Sequence, residues 1–207
     1  MTTEAGPTRL GIYGGSFDPI HIGHLLLADT CREACSLDEV WFLPCANPPH
    51  KPEGTLTPGK LRAEMIELAI AGNPHFDLCR FELERSGSSF TVDTLRQLHE
   101  TYPASELFFL MGADSLADLP QWREPRVILE LAVIVAVNRG SRVPLDLDLL
   151  AHQLGPRVRD RVRLITMPAI DISATDLRER VRSERGTRYR VPRAVEAYIA
   201  QQGLYRD

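Results

Sequence analysis

Leu10-Gly11-Ile12-Tyr13-Gly14-Gly15-Ser16-Phe17-Asp18-Pro19-Ile20-His21-Ile22-Gly23-His24-Leu25-Leu26-Leu27-Ala28 decides the fold. A short apolar run meets a glycine turn, and an apolar helical pattern follows with two imidazoles at its start. The order reads strand, turn, helix, with Pro19 as a first-turn helix proline. A glycine turn lets backbone N–H groups face a ligand, and a helix N-terminus adds partial positive charge. His21 and His24 are three residues apart and fall on one side of the helix. The expected object is a phosphate site with two imidazoles beside it. It is not the dinucleotide fingerprint, because no third glycine stands at the expected place. The histidine pair also spells half of a zinc site, but no Cys or acidic residue sits at a plausible partner spacing nearby.

Outward from this segment, short β-rich runs alternate with helical patterns. Strands are expected at Arg9–Tyr13, Glu39–Leu43, Phe76–Glu82, Leu107–Met111, Ala132–Val137 and Arg163–Thr166. Helices are expected at Ile22–Cys35, Pro58–Ala71, Ser89–Thr101, Gln121–Glu130, Leu145–Gln153, Ala174–Arg182 and Pro192–Gln201. Such alternation implies an α/β fold: a Rossmann-like, doubly wound parallel sheet in three α/β/α layers. Ligands of these sheets bind at the carboxyl ends of the strands. No linker divides the chain, so residues 1–207 read as one domain, with the helical part from about 171 to 207 packing on it. The proline-rich stretch Pro44–Pro58 is a long loop, and long loops in compact domains are often functional.

The bulk properties bound the function. The chain has 207 residues, 43% of them hydrophobic and 25% charged, ordinary values for a globular protein with a sizeable core. No apolar run is long enough to span a bilayer, and Met1–Thr8 has no secretory pattern, so no membrane partner is expected. Cys31, Cys35, Cys45 and Cys79 show no metal-like pairing and read as reduced thiols of a cytoplasmic protein. The net charge of −4 hides an asymmetry: Gly155–Arg193 carries 11 Arg against 5 Asp or Glu, a balance of +6 that leaves −10 for the remainder. That region suits a polyanion, although a solvated helix face accounts for most of the arginines. An RNA-binding reading lacks interleaved aromatics and an RNA module, so no nucleic acid is expected.

Asp171-Ile172-Ser173-Ala174-Thr175-Asp176-Leu177-Arg178 follows the last expected strand. Ser173 is a good N-cap, and Asp176 three later gives a capping-box-like pattern. A second helix N-terminus then faces the same edge of the sheet. Thr175 adds a hydroxyl, and Arg178 a planar donor fork suited to phosphate.

Together these segments resemble the nucleotidylyltransferase superfamily of HxGH type. The GGSFDPIHIGH form is similar to bacterial nicotinate mononucleotide adenylyltransferases. Class I aminoacyl-tRNA synthetases share the HIGH spelling, but their KMSKS-type loop is missing. Ser173–Arg178 resembles the family's ISSTxIR motif, with Ala174 in the second-serine place. The resemblance implies adenylyl transfer, with ATP as co-substrate and Mg2+ held mainly by the ATP phosphates rather than by a protein metal site. It implies catalytic roles for His21, His24 and Arg178. ATP contacts would come from Gly14, Gly15, Ser16, Phe17, His21 and His24, and from Gly112, Asp114, Ser173, Thr175 and Arg178.

Three further segments favour the nicotinate branch over the superfamily's pantetheine-phosphate and cytidylyl members. Asn47-Pro48-Pro49-His50-Lys51 resembles the family's PPHK loop, where Lys51 would neutralise the mononucleotide phosphate and Asn47 hydrogen-bond to the substrate. Ser88-Ser89-Phe90-Thr91 resembles its SYT segment, with Phe90 where tyrosine is usual and Thr91 near the pyridine ring. Gly112-Ala113-Asp114 with Trp122 resembles its GxD…W segment: Asp114 would take the ATP ribose, and Trp122 would stack on the ring. Arg139 is a further mononucleotide candidate. Taken singly, Thr91 and Asp114 read equally well as helix caps, and Trp122 as core. The expected partners are ATP and nicotinate mononucleotide. An adenylyltransferase for nicotinamide mononucleotide or another phosphorylated small molecule and a non-catalytic nucleotide-binding module stay as alternatives, and a homo-oligomer is left open. Tyr189, Val195, Tyr198 and Tyr205 match the family's C-terminal pattern and read as structural.

Overall fold

The computed structural model describes residues 6–47, 55–85, 87, 89–140 and 146–206, with the backbone alone at Arg139. The opening strand, β1 (Arg9–Gly15), leads through a six-residue turn to α1 (Ile22–Cys35). There follow β2 (Glu39–Pro44), α2 (Gly59–Ile70), β3 (Phe76–Leu78), α3 (Phe81–Glu84) and α4 (Thr91–Thr101). The second half runs β4 (Glu106–Gly112), α5 (Ala113–Asp118), a 3-10 turn (Leu119–Gln121), α6 (Pro125–Leu131) and β5 (Ala132–Arg139). It closes with α7 (Leu147–Leu154), α8 (Val158–Arg161), β6 (Val162–Met167), α9 (Ala174–Arg182) and α10 (Arg193–Gln202).

The six strands form one sheet in the order β3-β2-β1-β4-β5-β6, with every neighbouring pair parallel. This is the doubly wound α/β fold expected from the alternating pattern. Period-two alternation persists although both faces are covered. Tyr13, Phe42, Phe108 and Val135 face one apolar core, with Leu27 of α1, Ile66 of α2 and Ile199 of α10. Ile12, Leu43, Phe109 and Ile134 face the other, with Leu95 of α4, Leu116 of α5 and Ile128 of α6. From β1 the chain moves outward to β2 and β3, then crosses back to β4 on the other side. The β1/β4 seam is therefore the point where the strand order reverses, and a crevice opens there at the carboxyl ends.

Several elements differ from expectation. The strand expected at Phe76–Glu82 stops at Leu78 and turns into α3, because Glu82 is drawn inward onto Thr94. The helix expected from Gln121 begins at Pro125, whose ring presets a first-turn φ; Glu124 before it is left-handed, with φ +50. Ala113–Asp118 is a short helix the pattern did not announce. Pro19 is not in a helix: it lies in the turn before α1, following a cis Asp18–Pro19 peptide. β5 runs through Asn138 and Arg139, two residues past the expected end at Val137.

No disulfide joins the four cysteines. Burial, with Cys35 adding, pushes the Cys31 thiol far up, and burial raises Cys79 to about 11. Both are poor nucleophiles. Among the described residues, no helix is long and apolar enough to cross a membrane.

Candidate active site

A cavity of about 540 Å³ opens at the carboxyl ends of β1, β2 and β4, at the reversal of strand order. Gly14, Gly15 and Ser16 form one wall, Gly112 and Asp114 another, and Thr91 and Trp122 a third. Seven expected site residues from four parts of the chain thus meet around one space. Gly15 is required by packing: a Cβ there would come within 2.9 Å of the Phe17 ring. At Gly112 a Cβ would meet nothing within 4 Å, so the end of β4 stands open to the cavity. The Trp122 ring is braced edge-on by Phe109, with centroids 6.0 Å apart.

A second cluster gathers where α1 and α9 begin. His21 caps α1 and is 2% exposed. Its ring stacks on His24 with centroids 3.6 Å apart. The His21 backbone N–H donates to Nδ1 of His24 at 3.2 Å, which leaves Nε2 as the N–H donor of a neutral His24. The His24 ring also rests against Phe17, whose own ring is buried and whose φ is +47. Phe17 therefore offers only its backbone to a ligand. Ser173 caps α9, accepting the Asp176 N–H at 3.1 Å, so the expected cap is present. Arg178 donates to the Asp18 carbonyl at 2.8 Å and to the Thr175 hydroxyl at 3.3 Å. The two sequence motifs, 160 positions apart, thus touch directly.

Other expected residues fall elsewhere. Asn47 is exposed and donates to the Gly87 carbonyl at 3.3 Å. Lys51 and the rest of Pro48–Pro52 lie outside the described residues, as does the Arg139 side chain. Of the Gly155–Arg193 arginines, Arg161 and Arg180 donate to backbone carbonyls, and Arg159 and Arg182 pair with acids.

Four side chains at the site escaped the sequence reading. Arg62 is 1% exposed and donates to the carbonyls of Ser16, Cys45 and Thr57 at 2.7–2.8 Å. It pins the exits of β1 and β2 together beneath the glycine turn. Its signal was a charge on the same helix face as Met65 and Ile66. Asp18 is 2% exposed; it accepts from Thr57 N–H at 3.1 Å and from the Tyr205 hydroxyl at 2.6 Å. Burial pushes the Tyr205 hydroxyl far up, and the Asp18 carboxylate adds to the effect. Glu82 lines the cavity and accepts from Thr94 at 2.8 Å; burial raises its carboxyl against the pull of the Thr94 and Ser89 hydroxyls. Arg123 lies at the cavity wall beside Trp122.

A cytidylyltransferase-like family model matches residues 12–180. A Thermomicrobium roseum protein named "Probable nicotinate-nucleotide adenylyltransferase" is 48% identical over 200 residues, covering 96% of this chain and 92% of its own. A Thermus thermophilus protein of the same name is 44% identical over 198 residues, covering 96% of this chain and 100% of its own. The solved Plasmodium falciparum nicotinic acid mononucleotide adenylyltransferase complexed with NaAD superposes with a TM-score of 0.78 at 24% identity. The match covers 96% of this chain and 97% of that one, a likeness of fold.

Proposed function

The chain belongs to the cytidylyltransferase-like family, and within it to the nicotinate-nucleotide adenylyltransferases, and on that premise we propose that it transfers AMP from ATP to nicotinate mononucleotide. The products are nicotinate adenine dinucleotide and pyrophosphate, in a step of NAD synthesis. The observation that carries this reading is the joining of two half-sites at the Gly14–Asp18 turn. One is an aromatic-walled cavity, the other a cluster of stacked imidazoles and an arginine.

The mononucleotide ring would lie in the cavity against Trp122, near Thr91, with its phosphate directed to the glycine turn. The triphosphate would lie across the starts of α1 and α9. There the α1 N-terminus, Nε2–H of His24 and the ring of His21 meet charge building on the α- and β-phosphates, while Arg178, Ser173 and Thr175 hold the far end. The mononucleotide phosphate oxygen attacks the α-phosphorus in line, the bond to the bridging oxygen breaks, and pyrophosphate leaves with its electron pair. Such a transfer needs positioning and charge stabilisation rather than a nucleophilic side chain. Asp114, exposed in the first turn of α5, would take the ATP ribose.

Among the described residues no group of three His, Cys, Asp or Glu is disposed to hold a metal ion. Magnesium would enter with the substrate, on the ATP phosphates. Residues 1–207 act as one domain, working in the cytoplasm.

The test is pyrophosphate release from purified protein with magnesium, ATP and nicotinate mononucleotide. Turnover well above background is expected. ATP binding without release would instead mark a non-catalytic nucleotide-binding module.

A further inference from the structure

Arg62 carries a full charge into the interior. It lies on the face of α2 that also buries Ala63, Met65 and Ile66. A charge taken out of water is costly unless hydrogen bonds replace its hydration. Among the described residues its partners are all main-chain carbonyls, those of Ser16, Cys45 and Thr57, and no carboxylate pairs with it. The positive charge is therefore not cancelled where it sits, directly beneath the glycine turn.

Each carbonyl that Arg62 holds fixes a peptide plane. The Ser16–Phe17 and Cys45–Ala46 peptides are both trans. In a trans peptide the C=O and the N–H point in opposite directions. With the Ser16 carbonyl turned onto Arg62, the Phe17 N–H is turned away from it, and that N–H meets no acceptor among the described residues. The Cys45–Ala46 peptide is held the same way, and its N–H goes to the Ser89 hydroxyl at 3.3 Å. Ser16, Cys45 and Ser89 all line the cavity. The Cys45 N–H also donates to the Gly15 carbonyl at 3.0 Å, so the exits of β1 and β2 form one unit above the guanidinium. A carbonyl that accepts from a charged donor polarises its own peptide, and the N–H on the far side becomes a stronger donor.

We infer that Arg62 is a positioning residue for the reaction, whose buried guanidinium aims and polarises the Ser16–Phe17 peptide so that the Phe17 N–H holds the phosphate of the mononucleotide. The inference rests on the proposed adenylyl transfer, which directs that phosphate to the glycine turn. The anion then sits one peptide away from a charge that does not meet solvent. Salt screens such a charge far less than it screens a cation on the surface.

The experiment compares wild type, R62K and R62Q below their melting transitions. Each is titrated with nicotinate mononucleotide and with its nucleoside, which lacks the phosphate, and each is assayed for the KM of ATP. For R62Q the mononucleotide is expected to bind about tenfold more weakly, as for the loss of one charge-assisted hydrogen bond. The nucleoside affinity and the KM for ATP should change less than about twofold. R62K recovers part of the loss, because it returns the charge without the fork. In the wild-type protein the Phe17 amide proton is expected to move downfield with the mononucleotide and not with the nucleoside, a reading independent of how any variant folds. Equal weakening of mononucleotide and nucleoside, a change confined to ATP, or an unmoved Phe17 amide overturns the role of Arg62 while leaving adenylyl transfer standing. Absence of wild-type turnover on nicotinate mononucleotide overturns the adenylyl-transfer reading and this inference with it.

Discussion

The Tyr205 hydroxyl donates to the Asp18 carboxylate at 2.6 Å, tying the last turn of the chain to the turn between β1 and α1. The other Asp18 oxygen takes the Thr57 N–H, and the Asp18 carbonyl takes Arg178. One buried residue therefore gathers three distant segments behind the imidazole pair. Phenylalanine at 205 leaves the buried carboxylate one donor short. Y205F is expected to lose about 1.5–3 kcal/mol of stability. It should also lower kcat by about tenfold or more as the histidines lose register. Thermal melts and steady-state kinetics check both, and a fully active Y205F would remove the pair from the positioning of the site.

Arg62 predicts a larger loss. Its three carbonyl partners are partly buried around it, so R62M would leave acceptors beneath the glycine turn short of their donor. Three charge-assisted bonds do not add, but a loss of about 3 kcal/mol is expected, roughly 6–12 °C in melting temperature. R62K should recover only a fraction, since an ammonium lacks the fork that spans three loops. Calorimetry on both variants measures this.

Glu82 makes stability depend on pH. Its folded carboxyl is held above the ordinary value, chiefly by burial, while in the unfolded chain it ionises normally. Between those two values the native state binds the extra proton. The contribution of this group is therefore full below the ordinary carboxylate range and is lost as pH rises through the folded value. E82Q should flatten that slope and melt higher than wild type toward neutral pH, with the advantage vanishing in acid. Melting curves from about pH 4 to about pH 8 follow the effect.

On the proposed mechanism, His24 acts on the reaction more than on the fold. H24A removes the Nε2–H donor and is expected to lower kcat by about 100-fold or more, with the melting temperature down by only a few degrees. A variant that turns over like wild type would take His24 out of the catalytic set.

The sequence by itself determined the architecture and the addresses of the two anchor motifs. Gly14–His24 and Ser173–Arg178 carry local signals: a glycine turn, a capping serine, and the switch from period two to period 3.6. Local signals survive without tertiary context, so α1 and α9 begin and end where the pattern puts them. Helix boundaries were less legible where a long-range contact outweighed the local run, as when Glu82 turns inward onto Thr94 and ends β3 early. What only the tertiary structure decided is which polar side chains are buried together. Arg62 stands in no motif, and the patterns that hold Asp18 and Tyr205 do not name their partners, which lie 5, 17, 39, 46 and 187 positions away. Burial turns such groups into determinants of geometry: a charge removed from water must find its hydrogen bonds in the fold, and the fold alone states which ones it found.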